Sequence, residues 1–113
     1  MEYKILAHML SHSTRKEYEE LIRTSEWKCS EYSKRRMEER GLQLEDVAKA
    51  IDTGKLIEYS RVQEQDRVLL RDEDGVCVVL ALEDYYQATI VTAFRNAPTD
   101  NHSTLNKDNY LLM

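Results

Sequence analysis

Tyr32, Arg36 and Arg40 stand four residues apart. On a helix that spacing lines them along one face. Two guanidiniums and a phenol in a row suit a phosphate, because Arg offers planar, bidentate donors and Tyr adds a hydroxyl or a stacking plate. The same row also fits a solvated face whose arginines pair with Glu38, Glu39 or carboxylates of a sheet. A second cluster lies near the C-terminus. Asp100, Asn101, His102, Ser103 and Thr104 put an imidazole, two hydroxyls, an amide and a carboxylate within five residues. A His that titrates near neutrality moves protons at pH 7, although these residue types also build ordinary turns. His8 and His12 have the spacing that lets two imidazoles share a metal. Met9 stands where a zincin carries Glu, and neither cysteine is near in sequence, so no metal or other cofactor is expected. There is no phosphate-cradling Gly-rich loop, no GxSxG and no CxxC.

These groups need elements to hold them. Residues 1–10 mix polar and apolar positions without a clean period, and a short helix suits them better than a strand. Thr14 and Glu17 read as a capping box. Tyr18, Leu21 and Ile22 then follow at helical spacing, giving a helix over about 15–24. Ser25 to Lys28 reads as a joint. The next helix runs from about 30 to 40 and stops at Gly41, and another runs from about 44 to 52 and stops at Gly54. The second half changes period. Leu56–Tyr59, Arg67–Leu70, Val76–Leu82 and Thr89–Phe94 read as strands, with Asp74-Gly75 marking a tight turn. Val76 to Leu82 is apolar on both faces and reads as a central strand. Helices first and strands second predict an α+β fold, with N-terminal helices packed on a four-stranded antiparallel sheet.

The chain has 113 residues, the size of one domain, with a helical part over about 1–53, a sheet over about 55–96 and a polar tail over 97–113. That tail ends in Tyr110-Leu111-Leu112, which could dock back on the core. The longest apolar run is seven residues, against about 20 for a membrane helix, so no membrane span is expected. No signal-peptide pattern opens the chain, and two cysteines far apart in sequence suit reduced thiols, so a cytoplasmic location is expected. Net charge is −5, which argues against a nucleic-acid partner on bulk balance. The distribution is uneven: from Lys28 to Arg36 the chain carries Lys28, Lys34, Arg35 and Arg36 against Glu31 alone. An anion site is therefore expected on the N-terminal half.

The run Ser33 to Val47, followed by Gly54-Lys55-Leu56-Ile57-Glu58, resembles a small bacterial and phage family of unknown function. That family carries His-x-x-x-Arg-x-x-x-Arg-Gly-[Ile/Leu] on a helix, then a second helix, a Gly and an antiparallel sheet. The resemblance spans about residues 30–95 and implies the barnase–colicin–RelE-like fold of metal-independent ribonuclease toxins. Arg36 and Arg40 match the two Arg positions, while Tyr32 occupies the His position. His102 is the imidazole that would replace it.

The expected function is metal-independent RNA cleavage. The RNA's own 2′-hydroxyl attacks, and the protein supplies a base, an acid and cationic donors for the phosphorane. His102, Arg36, Arg40 and Thr104 are the expected catalytic residues, and Tyr32, Thr92, Asn96 and Tyr110 the substrate-binding ones. The alternative is a non-catalytic acidic protein on the same scaffold, such as an immunity, antitoxin or counter-defence factor, binding a basic protein partner.

Overall fold

The computed structural model describes residues 3–6, 11–62, 64–83 and 87–95. The chain order is β1 (Tyr3–Leu6), α1 (His12–Thr24), β2 (Glu26–Cys29), α2 (Glu31–Glu39), α3 (Leu44–Thr53), β3 (Lys55–Val62), β4 (Gln65–Arg71), β5 (Val76–Glu83) and β6 (Gln87–Arg95). The class is α+β as the pattern predicts, and the four expected strands form β3 to β6. The sheet is larger than expected. Among the described residues six strands lie in the order β1-β3-β4-β5-β6-β2.

Both extra strands correct sequence expectations. Residues 3–6 form an edge strand antiparallel to β3, with Ile5 opposite Tyr59, rather than part of a helix. The stretch read as a joint is β2, which runs parallel to β6 with Cys29 opposite Ile90. Each extra strand is four residues long and gains its hydrogen bonds from a strand far away in sequence. A local period cannot register such a pairing. A third correction concerns α1. Its N-cap is Ser11, whose side chain accepts from the Thr14 backbone N–H, so the helix starts before the expected Thr14 box.

The interior follows from alternation. Leu56 and Tyr59 on β3, Val68 and Leu70 on β4, Val76, Val78 and Leu80 on β5, and Ala88, Ile90 and Ala93 on β6 join one buried cluster with the helices. The helices contribute Ile22 from α1, Met37 from α2, and Val47, Ala50 and Ile51 from α3. β5 pairs with β4 on one side and β6 on the other. Cys77 and Ala81, which point to its opposite face, are buried as well, so β5 is the central strand that its composition indicates. The Tyr18 and Tyr59 rings pack 5.3 Å apart, joining α1 to β3.

Two glycines act at points of constraint. Gly41 has φ 74° and ends α2, a backbone region that side chains other than glycine enter at a cost. Gly54 has ordinary φ, but a Cβ there would run into the Ala50 carbonyl oxygen and crowd Leu70. The turn from α3 into β3 therefore closes only around glycine.

Thermal and denaturant melts should rank two substitutions. Val78→Asp places an unpaired charge on the central strand and should cost about 3–5 kcal/mol. Gly54→Ala should cost at least about 1 kcal/mol, because the clash is with backbone. A melt unchanged by both would contradict this packing.

Candidate functional site

The site is built where β6 changes neighbours. β2 covers β6 only from Gln87 to Ile90. A bulge then interrupts the β5–β6 register: Val79 faces Thr92 while Leu80 faces Ile90, leaving Val91 as the extra residue. Beyond this point the edge carbonyls of β6 need other donors. α2 supplies them.

α2 is seated at both ends. Ser30 caps its N-terminus by accepting from the Ser33 N–H at 3.0 Å. The Ser33 hydroxyl is buried and reaches the Val91 carbonyl at 3.2 Å and the Ile90 carbonyl at 3.4 Å. At the other end, Gly41 N–H donates to the Glu38 carbonyl and Leu42 N–H to the Met37 carbonyl, the double bond pattern of a Schellman stop. Met37 and Leu42, both buried, anchor that stop in the core. The helix is thus fixed in rotation and in length, and Arg40 sits at its C-cap.

Arg40 Nη1 donates to Thr92 Oγ1 at 2.8 Å and to the Ala93 carbonyl at 2.8 Å. Arg40 is expected from its helical spacing and Thr92 stands among the expected substrate-binding residues, and the fold brings the two into contact. Nε and Nη2 of Arg40 have no hydrogen-bond partner among the described residues. Its two partners are neutral, so the guanidinium has no carboxylate against it there. Arg23, Arg36 and Arg61 differ: they pair with Glu19, Glu39 and Asp66 respectively. A guanidinium held by one nitrogen keeps an edge that can donate two parallel bonds to an oxyanion.

The rest of the stripe behaves differently. Arg36 pairs with Glu39 at 2.9 Å on the surface, a contact of the kind worth about 0–1 kcal/mol. Tyr32 is 70% exposed. Both lie on α2 one and two turns before Arg40, as the spacing predicts, but neither is tied to the sheet. Lys28, in the basic stretch, pairs with Glu83 at 3.3 Å. Glu83 also accepts from Thr89, and both partners hold its carboxyl below the usual range. His102, Thr104, Asn96 and Tyr110 lie outside the described residues, as do His8 and the tail docking segment. Sequence reasoning missed Ser33, whose buried hydroxyl fixes α2 on the bulge; its signal was a Ser on the apolar side of an amphipathic helix.

A family model described as Domain of unknown function (DUF4258) matches residues 30–95. The matched span starts at the cap of α2 and ends with β6, so it contains Arg40 and Thr92 and every strand pair between β3 and β6. No curated protein and no solved structure matches the chain.

Burial works against thiolate formation at both cysteines. Burial pushes the Cys77 thiol up to about 11. Burial also raises Cys29, with Lys34 opposing and Glu31 adding to the rise. Among the described residues no cluster of His, Cys, Asp or Glu is arranged to hold a metal. A thiol-reactive dye at pH 8 should therefore label half-buried Cys29 slowly and leave Cys77 untouched until denaturant is added. The Cys77 shift also has a stability consequence. The unfolded thiol loses its proton near 9 and the folded one near 11, so stability should fall as pH rises through that window. Rapid native labelling of Cys77 would contradict its burial.

Proposed function

The chain belongs to the DUF4258 family, and from that premise we propose that it cleaves RNA without a metal, with a phosphate site built on Arg40 and Thr92. The observation that carries this reading is the anchored guanidinium. Arg40 Nη1 is occupied by Thr92 Oγ1 and the Ala93 carbonyl, which leaves the Nε–Nη2 edge for the scissile phosphate. Thr92 Oγ1 accepts from Arg40, so its own hydrogen is free to donate to a second phosphate oxygen.

The chemistry follows from the charge that develops. The 2′-hydroxyl of the preceding ribose attacks phosphorus, and its proton passes to a base. The P–O5′ bond breaks as an acid protonates the departing oxygen. The products are a 2′,3′-cyclic phosphate and a 5′-hydroxyl. Negative charge peaks on the phosphorane oxygens, where a preorganised guanidinium stabilises it without reorganising. His102 is the residue proposed for proton transfer, with Thr104 beside it in sequence. Arg36 adds charge along the same helix, its surface pair with Glu39 being cheap to exchange. Tyr32, Asn96 and Tyr110 are proposed to contact the bases or backbone. The resemblance to the barnase–colicin–RelE-like ribonucleases supports the same reading.

Purified protein incubated with RNA in EDTA should yield fragments ending in 2′,3′-cyclic phosphate. Arg40→Ala should slow cleavage by about 10²–10³-fold, with about 1 kcal/mol lost in stability from the two bonds removed. Arg40→Lys should not restore the rate, since an ammonium has no fork. His102→Ala should cost about 10²–10⁴-fold. A wild-type protein inert on RNA that instead captures a basic protein partner would replace the enzyme with the binding reading.

A further inference from the structure

The sheet ends in β1 on one side and β2 on the other. β2 pairs with β6, and among the described residues no strand pairs with its outer side. That side is open to solvent. Glu26, Trp27 and Lys28 are all exposed, Trp27 at 36%. Together with Gln87 they line a groove of about 200 Å³. An open strand edge offers a row of backbone donors and acceptors to another chain, and folded proteins commonly blunt it with charge or cover. Here the middle of the edge carries a large aromatic ring.

Successive side chains of β2 point to opposite faces of the sheet. Trp27 and Cys29 stand opposite Ala88 and Ile90, which belong to the buried cluster, so both lie on the face that the helices cover. Glu26 and Lys28 lie on the other face, where Lys28 reaches Glu83 at 3.3 Å. Glu26 enters no salt bridge among the described residues. Read along the strand, the order is acid, aromatic, base. That order is antisymmetric in charge about Trp27.

We propose that β2 pairs antiparallel with β2 of a second copy of this chain, about a two-fold axis at Trp27. In that register Glu26 of each copy stands opposite Lys28 of the other, and the two Trp27 rings stand opposite each other. The two ion pairs share one face and the ring pair takes the other. An ammonium has three N–H donors, so Lys28 serves Glu83 and the second copy's Glu26 together. Charge order selects the occupant. An antiparallel strand reading acid, aromatic, base is the complement of itself, and a two-fold axis makes each contact twice. A slip of one residue sets Trp27 against a charge. A slip of two sets Glu26 against Glu26, or Lys28 against Lys28. The opposite edge, β1, holds Lys4 and no acid, so no antiparallel register of it with itself pairs opposite charges. β2 is four residues long, so the interface is small and the dimer is of the weak, transient kind. Nothing in this pairing requires an RNA ligand.

Sedimentation velocity of the full chain from about 10 µM to about 1 mM spans the range in which a small interface fills. The average mass should rise toward that of two chains. Trp27 is the single tryptophan of the chain, so its fluorescence reports its own burial and should shift to the blue over the same range. Glu26→Lys and Lys28→Glu each turn both ion pairs into like-charge pairs, and each should weaken the dimer at least about tenfold. The double substitution E26K/K28E reverses the charge order and re-forms both pairs between copies, while the contact of Lys28 with Glu83 within one chain stays lost. It should bring the dimer back. Circular dichroism checks that the variants keep the fold, and the wild-type mass and emission decide the matter if one does not. A wild type that stays monomeric throughout would overturn the proposal, as would a dimer that forms with Trp27 emission unchanged. A dimer that both single substitutions leave intact, or that the double substitution fails to restore, would overturn it as well.

Discussion

An edge strand must place its outward carbonyls somewhere, and β6 meets this demand in two ways along its length. Over its first four residues it pairs with β2. At Val91 the bulge turns the strand, and among the described residues no further strand follows on that side. The helix α2 takes over, with Ser33 on the Ile90 and Val91 carbonyls and Arg40 on the Ala93 carbonyl. The geometry at Arg40 is a consequence of that change of partner. The same bonds that seal the sheet orient the guanidinium, so stability and site geometry share a single set of contacts.

The sequence shows this arrangement in part. The i, i+4 spacing of Tyr32, Arg36 and Arg40 is a local property, and the helix keeps it. Gly41 marks the stop because a positive φ is needed there, and Gly carries that requirement in its identity. The four long strands are legible from β-branched and apolar runs, the central one most clearly, because burial on both faces removes polar residues from it. What could not be read is non-local. Glu26-Trp27-Lys28-Cys29 has three exposed positions and no alternation, and becomes a strand only because β6 offers an edge in the right direction. The short β1 depends on β3 in the same way.

The site at Arg40 and the unpaired atoms at Arg71 and Asp72 differ in how the sequence announces them. Arg40 and Thr92 are 52 residues apart in sequence, and only the family resemblance and the polar character of Thr92 connected them before the fold did. Arg71 and Asp72 are adjacent, and the sequence explains them fully as a strand end and a turn. That explanation is correct for Asp72 Oδ1 and stops there. The second oxygen and the neighbouring guanidinium nitrogen are visible as a problem only when hydrogen bonds are assigned atom by atom.

Net charge of −5 opposes an RNA ligand on bulk balance, but a polyanion responds to local potential, which the bulk sum does not fix. Four of the 21 acids illustrate local pairing. Glu19 is buried beside Lys16 and Arg23, Asp66 accepts from Tyr59 and Arg61, Asp74 holds Lys49, and Glu83 holds Lys28 and Thr89. A paired carboxylate contributes a short-range dipole, and salt screens the remainder within about 10 Å. Arg40 differs from the cations in these pairs, since its partners are a hydroxyl and a carbonyl. A carboxylate at position 92 would hold the helix equally well and would fill the guanidinium's need for an anion. Threonine there holds the helix and leaves that need open. This choice of anchor, more than the count of basic residues, sets the local charge at the edge of β6, and the proposed phosphate site rests on it.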